Sequence, residues 1–321
     1  MKKTISLLLA LVQCLSLCAC GGGNEAPVAT GGDAPVAGPV EGPGNNESTE
    51  VKEIPSVASA SVLKEGSCGT STTFKLYDNG VLVVSGSDAI TEPFEKFNDY
   101  IKYIKVEEGI TYIGNKVFAG LKSCTMAELP STLKTIDVAA FANSSNLETV
   151  NLPDELESIG TNAFYFAGLT SIEIPSSVVS MGSGAFSYCD LEELIIRNGI
   201  PELPSGAFEG NDELEFVVVP GSVKYIGEDA FRGCESLETV ILCEGVEYIG
   251  ASAFENIKTF AIPDSFQSVA SSDMGEPNPT NSSSTVYCND GSQAANRFSS
   301  VADIIVGYDG FIKNYNLDDY T

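Results

Sequence analysis

Histidine and tryptophan are both absent from the 321 residues of this chain. Without histidine there is no Ser-His-Asp triad, no histidine general base and no histidine metal ligand. The chain also carries no nucleophile motif and no cofactor fingerprint. The sequence therefore favours a protein that is not an enzyme and that holds no cofactor and no metal. Without tryptophan, it lacks the largest aromatic surface on which a sugar ring could stack.

Basic residues are scarce: 17 lysines and arginines stand against 44 acidic residues, which gives a formal net charge of −27. A surface of that sign repels phosphate backbones and anionic lipid headgroups. We therefore expect no nucleic-acid partner and no polybasic attachment to a membrane.

No apolar run is long enough to span a bilayer as a stable helix, and Ile5–Leu17 falls short of that length. This run follows two lysines and ends in Leu-Cys-Ala-Cys at 17–20. Leucine at −3, a small residue at −1 and cysteine at +1 resemble the lipobox of bacterial lipoproteins. The resemblance implies that residues 1–20 are a lipoprotein signal peptide, with cleavage before Cys20 and a lipid on its thiol. The alternative is an ordinary secretory signal with an unrelated cysteine.

Residues 21–65 are rich in glycine, proline and acidic residues and show no apolar periodicity, which predicts a flexible acidic spacer. Residues 66–98 follow as an N-terminal β cap. Within the cap, FKLYDNGVLVVSG has two alternating apolar runs around Asp78-Asn79-Gly80, a pattern typical of a β-hairpin.

A repeat then begins in which phenylalanine recurs every 22 or 23 residues, at Phe118, Phe141, Phe164, Phe186, Phe208, Phe231 and Phe254. An apolar residue precedes each by five positions, and glycine follows that residue in five of the seven units. A fixed period of this length indicates a solenoid. We expect the phenylalanine rings to form an internal ladder and each of these glycines to permit a turn with positive φ.

Each unit also contains a short alternating run rich in valine and isoleucine and often closed by proline, such as LETVNLP at 147–153. Such runs are typical of strands, and one per coil must stack into a parallel sheet. The sequence thus predicts an α/β repeat solenoid with one short parallel strand per 22–23-residue coil. The repeats would occupy 99–263, and a closing C-terminal cap and tail 264–321.

The unit L-x-x-V-x-L-P-x-x-V-x-x-I-G-x-x-A-F resembles the BspA-like leucine-rich repeat of bacterial surface proteins. GSCGTSTTFKLYDNGVLVVSG resembles the N-terminal cap of that family, and VYCNDGSQAANRF at 286–298 resembles its closing coil. The resemblance implies a recognition or adhesin role at the bacterial cell surface, with an extracellular or host protein as partner. Attachment to the membrane would be only through the lipid on Cys20.

Four apolar residues at outward positions of successive strands predict where such a partner binds: Ile195, Phe216, Val218 and Ile241. Alternatively, these side chains pack along the strand ladder, or the 264–285 loop covers them. A second hypothesis is a glycan-capturing lipoprotein that feeds a transport or degradation system. Tyr103 and Phe216 are the aromatic residues at outward strand positions, and loops could add Tyr165 or Phe166.

Six cysteines follow Cys20, and none is in C-x-x-C spacing, which argues against a zinc or redox site. Cys189 and Cys234 share one position of the repeat, three residues after the phenylalanine. Small residues occupy that position in other coils, so we expect buried free thiols there. Whether Cys234 pairs with Cys243 stays open.

Overall fold

The computed structural model describes residues 53–255, 257–269, 280–298 and 303–312. All of these residues except Glu53 belong to the unit that begins at Ile54. The predicted signal peptide, Cys20 and most of the predicted spacer lie outside the described residues. Among the described residues, no helix combines the length and the apolar character that crossing a membrane requires.

The N-terminal cap is an antiparallel sheet of β1 (Val62–Ser67), β2 (Thr72–Tyr77) and β3 (Val81–Gly86). The predicted hairpin is confirmed between β2 and β3, and Gly80 adopts a φ of +86° in its turn. The prediction of a flexible spacer up to residue 65 is wrong at its end, because β1 begins at Val62. All six residues of β1 are exposed, so the strand does not alternate between buried and exposed side chains. Backbone pairing with β2 holds it in the sheet.

The remaining strands are short and alternate regularly along the chain. In chain order they are β4 (Asp88–Ile90), β5 (Tyr103–Val106), β6 (Ile110–Ile113), β7 (Met126–Glu128), β8 (Thr135–Ile136), β9 (Thr149–Val150), β10 (Ser158–Ile159), β11 (Ser171–Ile174), β12 (Ser180–Met181), β13 (Glu193–Ile196), β14 (Glu202–Leu203), β15 (Phe216–Val219), β16 (Tyr225–Ile226), β17 (Thr239–Leu242), β18 (Tyr248–Ile249), β19 (Ile257–Ala261), β20 (Ser268–Val269), β21 (Thr280–Cys288) and β22 (Asp303–Val306).

These strands form two parallel rows on a β-solenoid. The odd-numbered strands from β3 to β21, with β22, form the row that we call the strand face, and the even-numbered strands from β4 to β20 form the second row. The predicted strand in each coil is confirmed. The second row was not predicted, because most of its strands are only two residues long and too short to show alternation.

The predicted ladder of phenylalanine rings is confirmed. The seven rings are buried and stack with centroids 5.0–5.6 Å apart from one coil to the next. Phe94, in the cap, adds a further ring 5.5 Å from that of Phe118. Burial of a phenylalanine side chain contributes about 1.5–3 kcal/mol, so the ladder is a major source of stability along the whole solenoid.

The glycine after the apolar residue has a different role from the predicted one. None of these glycines has positive φ. A Cβ at Gly182 would lie 2.2 Å from the backbone nitrogen of Thr161, and one at Gly160 would lie 2.5 Å from that of Val138. At Gly160 and Gly182, glycine is needed because the backbones of adjacent coils approach too closely there for a Cβ.

Three short helices occur in the described residues: a 3-10 helix at Glu95–Phe97, α1 (Gln293–Phe298) and α2 (Tyr308–Ile312). The last of these packs on the strand face. Its residue Tyr308 is fully buried, and the phenolic hydroxyl donates a hydrogen bond to the carbonyl oxygen of Leu242 at 2.6 Å.

The prediction of buried free thiols is confirmed for Cys189 and Cys234, and Cys234 and Cys243 are both unpaired. Each of the first two thiols donates to a ladder phenylalanine carbonyl in the preceding coil, at 3.2 and 3.3 Å. Ser144 and Asn211 donate in the same way from the same repeat position. Burial raises the pKa of both thiols to about 12, so they stay protonated and unreactive at neutral pH.

Candidate functional site

Two successive coils depart from the 23-residue period. Phe164, Phe186 and Phe208 are each 22 residues apart, and the missing residue lies in the turn after the phenylalanine. Leu169 follows Phe164 by five positions, whereas in a full-length coil Leu147 follows Phe141 by six. The shortening therefore changes how the chain enters the strand face, while the ladder itself remains continuous.

The strand face is interrupted at these two coils. β11 and β13 pair only with each other, in parallel register from Ser171 opposite Glu193 to Ile174 opposite Ile196. On one side, β9 ends the sheet that includes the cap, and on the other, β15 begins a separate sheet. The interruption coincides with the two shorter turns, and the second row is also interrupted there, between β12 and β14.

A shallow depression of about 210 Å³ lies at this interruption, lined by Val150, Ser171, Ile172, Glu173, Glu193 and Ile195. Val150 and Ile172 are buried at its base, and Ile195 is half-buried. The two glutamates are exposed around it. We call this group the strand-face depression, and it combines apolar contact area with negative charge.

Polar contacts hold the surroundings of the depression in place. The Nε of Arg197 donates to Oε1 of Glu173 at 2.8 Å, which orients that carboxylate across the face. Towards the cap, the Asn151 side chain binds both the amide and the carbonyl of Leu129, at 2.9 and 3.1 Å. The Asn151 side chain is thus satisfied within the chain, whereas Glu193 is exposed and Ile195 is half-buried.

The expectation that Val218 and Ile241 are exposed is wrong, since their exposed fractions are 3% and 0%. They form a buried cluster with Cys243, Ala261 and Tyr308. The half-buried Phe216 packs against that cluster. The element that covers Val218 and Ile241 is therefore α2, which contains Tyr308. The suspected 264–285 loop lies in part outside the described residues.

Of the four predicted residues, Ile195 alone lies in the depression. Sequence reasoning missed the depression itself and the roles of Ser171, Glu173 and Glu193. The 22-residue spacing was visible in the sequence and could have indicated an irregular place on the face. The cover by Tyr308 had no such signal, because it joins residues 66 positions apart that belong to different parts of the fold.

Within the described ranges, no group of three or more cysteine, aspartate and glutamate side chains is arranged to hold a metal ion. The geometry of the strand face suits contact with another molecule, through a half-buried isoleucine and exposed carboxylates.

Solved structures similar to this chain are bacterial leucine-rich repeat proteins. One from Bacteroides ovatus is 20% identical, with a TM-score of 0.56 over 73% of this chain, and this chain covers 66% of that one. One from Eubacterium ventriosum is 21% identical, with a TM-score of 0.43, over 70% of this chain and 72% of that one. The first of these likenesses supports the solenoid fold.

No curated protein matches the sequence. The model of the BspA type leucine rich repeat region matches in six copies, over residues 92–215 and 157–273. Together these ranges cover more than half of the 321 residues. They include the ladder and the strands of both rows from β5 to β20. The chain therefore belongs to the BspA-type leucine-rich repeat family.

Proposed function

We propose that this chain is a lipid-anchored recognition protein of the bacterial surface that binds an extracellular or host protein through its strand face. The observation that carries the proposal is the strand-face depression, where two shortened coils interrupt an otherwise regular sheet. Membership of the BspA-type family supports a repeat protein that binds partners. The Leu-Cys-Ala-Cys segment at 17–20 supports attachment through Cys20.

The charge of the face defines the partner's chemistry. Glu173 and Glu193 are exposed at the depression, and the chain as a whole carries −27. Complementary charge accelerates encounter and selects among partners. We therefore expect a basic protein surface, with an apolar side chain that contacts Ile195 and a lysine or arginine that meets Glu193, because Arg197 already pairs with Glu173.

An array of purified extracellular-matrix and serum proteins tests the strand face. Ile195→Lys and Glu193→Lys place a positive charge in the depression and should weaken binding of a basic partner at least about tenfold. Glu202→Lys makes the same charge change at an exposed position in the second row and should bind as the unaltered protein does. The strand-face assignment would be wrong if all three variants bound equally, or if no protein on the array were bound.

Lipid attachment has a separate test. In bacteria grown with labelled palmitate, the protein should incorporate label and partition with the membrane, and Cys20→Ser should do neither. Cys18→Ser is the matched control and should retain label, because the lipobox places the lipid on Cys20. Label on the Cys20→Ser protein would contradict lipid attachment through Cys20. It would not affect the strand-face assignment, which the protein array tests separately.

A further inference from the structure

Three aromatic side chains form a surface group on the two shortened coils, which we call the aromatic cluster: Tyr165, Phe166 and Tyr188. The rings of Phe166 and Tyr188 stack at a centroid distance of 5.1 Å with an interplanar angle of 8°. The ring of Tyr165 lies edge-on to both, at 4.8 and 5.8 Å. Phe166 is 46% exposed and Tyr188 is 39% exposed, so the pair presents a rigid apolar surface to solvent.

The backbone under these two rings is in a conformation that large side chains rarely adopt. Phe166 and Tyr188 stand two residues after a ladder phenylalanine, with φ of +53° and +54°. Other coils fill this position with residues suited to positive φ: Gly120, Asn143, Gly210 and Gly233. Two successive coils thus hold an aromatic residue where glycine or asparagine is favoured. Strain of this kind is concentrated at functional sites.

The neighbouring coil is shaped to accommodate the cluster. A Cβ at Gly210 would lie 2.5 Å from Cδ1 of Tyr188, so only glycine leaves room for that ring. The Tyr188 hydroxyl donates to Oε1 of Glu209 at 2.9 Å, which fixes the orientation of the ring. The exposed Arg232 lies on the next coil, where its carbonyl oxygen accepts a hydrogen bond from the amide of Gly210 at 2.8 Å and its guanidinium pairs with Asp229 at 3.8 Å.

The size and surroundings of the cluster determine its ligand class. A protein interface buries roughly 800 Å² on each partner around an apolar centre, whereas three rings beside the Glu209 carboxylate offer far less. A hexopyranose ring fits this area: its C–H face packs on aromatic carbon, and its hydroxyls bind planar polar groups such as a carboxylate or guanidinium. The negative charge of Glu209, Asp190 and the chain as a whole disfavours anionic sugars.

We propose that the aromatic cluster is a binding site for neutral oligosaccharides, in which a hexopyranose ring packs against the exposed parts of Phe166 and Tyr188. The Glu209 carboxylate, which already accepts the hydrogen bond of the Tyr188 hydroxyl, accepts further hydrogen bonds from the sugar hydroxyls. The site lies on the turns that lead into β11 and β13 and does not depend on the protein-binding role of the strand face.

Substitution by asparagine separates binding from folding. Asparagine already occupies this position at Asn143, with φ of +60°, so Phe166→Asn and Tyr188→Asn relieve strain while removing the rings. Tetrasaccharides of glucose, galactose and mannose are offered to the purified protein, and saturation-transfer NMR reports which sugar protons contact it. We expect binding of at least one neutral sugar, strongest transfer to one face of the pyranose ring, and dissociation constants raised about tenfold or more in each variant. Their melting temperatures should be unchanged or higher.

Tyr225→Asn is the matched control, since Tyr225 is 42% exposed in the second row, and it should bind as the unaltered protein does. Ile195→Lys should also leave sugar binding intact, which separates this site from the strand face. The proposal would be overturned by no transfer to any neutral sugar at millimolar concentration, by equal binding in the asparagine variants, or by preference for sialylated or uronate sugars. Unfolding of both asparagine variants would also overturn it, because the rings would then be structural.

Discussion

At the level of single residues, carboxylates join neighbouring coils. The Glu108 side chain accepts hydrogen bonds from the amide and hydroxyl of Ser131, both at 3.0 Å, and from the amide of Thr132 at 3.2 Å. Glu244 accepts bonds from two successive amides of the next coil in the same way. Part of the acidic excess of this chain therefore serves the turns of the solenoid as well as its surface charge.

Replacement of Glu108 by glutamine should destabilise the fold in a pH-dependent manner. Hydrogen bonds from Ser131 and Thr132 lower the pKa of Glu108 in the folded protein. A carboxyl group with a lowered folded pKa adds stability above its unfolded pKa, about 4.3, and loses it as pH falls through the folded value. We expect Glu108→Gln to melt at a modestly lower temperature at pH 7 and at the same temperature as the unaltered protein near pH 2.

Differential scanning calorimetry across pH 2–8 provides this measurement. Glu107→Gln is the control, because Glu107 is equally exposed, and it should melt as the unaltered protein does throughout. A difference between Glu108→Gln and the unaltered protein that stayed constant with pH would show that the carboxylate charge has no part in joining the coils.

At the level of elements, the close spacing of adjacent coils depends on glycines, because a Cβ at these positions would clash with the backbone of the preceding coil. A Cβ on Gly182 would lie 2.2 Å from the backbone nitrogen and 2.6 Å from the Cα of Thr161. Since both are backbone atoms, a coil must shift to accommodate it. By contrast, Gly120 has positive φ and open space around it. The two glycines are thus required for different reasons, steric at one position and conformational at the other.

Gly182→Ala should therefore cost about 1–3 kcal/mol of stability through overpacking between coils. Gly120→Asn should cost less than about 0.5 kcal/mol, because asparagine tolerates positive φ and nothing crowds the site. Urea unfolding monitored by circular dichroism measures both. Equal costs for the two substitutions would refute the distinction between them.

Elements that a long periodic pattern specifies could be predicted from the sequence. The phenylalanine ladder and the strands of the strand face follow from spacing and alternation repeated over seven units. The second row could not be predicted, because strands such as Ser158–Ile159 are defined by backbone pairing between coils. The prediction of Ile195 as a binding residue stays a prediction, and Tyr188, now the centre of the aromatic cluster, was not recognised at all.

At the level of the whole molecule, α2 covers the far part of the strand face. Val218 and Ile241 would be exposed without Tyr308, which packs against them and binds the carbonyl of Leu242. This contact lay beyond sequence reasoning, because it brings a segment outside the repeats onto the repeats. It limits the accessible part of the face to the coils nearer the cap, including the strand-face depression.

Tyr308→Ala should cost about 3–5 kcal/mol, as expected for removal of a large buried aromatic side chain. It should also increase binding of the dye ANS, which detects exposed apolar surface. Tyr308→Phe removes only the hydrogen bond and should cost about 1 kcal/mol without added dye binding. Urea unfolding and dye fluorescence measure these effects. A Tyr308→Ala protein as stable as the unaltered one would mean that α2 does not hold this cover in solution.

The loss of one residue from each of two turns has a consequence for how such proteins diversify. Coils of 23 residues are interchangeable units, so duplication or deletion of one lengthens or shortens the stack without altering its pattern. The Phe164–Phe208 segment differs from such a unit, because its 22-residue coils carry the sheet interruption, the aromatic cluster and most of the strand-face depression. Irregular spacing thus sets this segment apart from the coils on either side, whose regular pattern would be unchanged if their number varied.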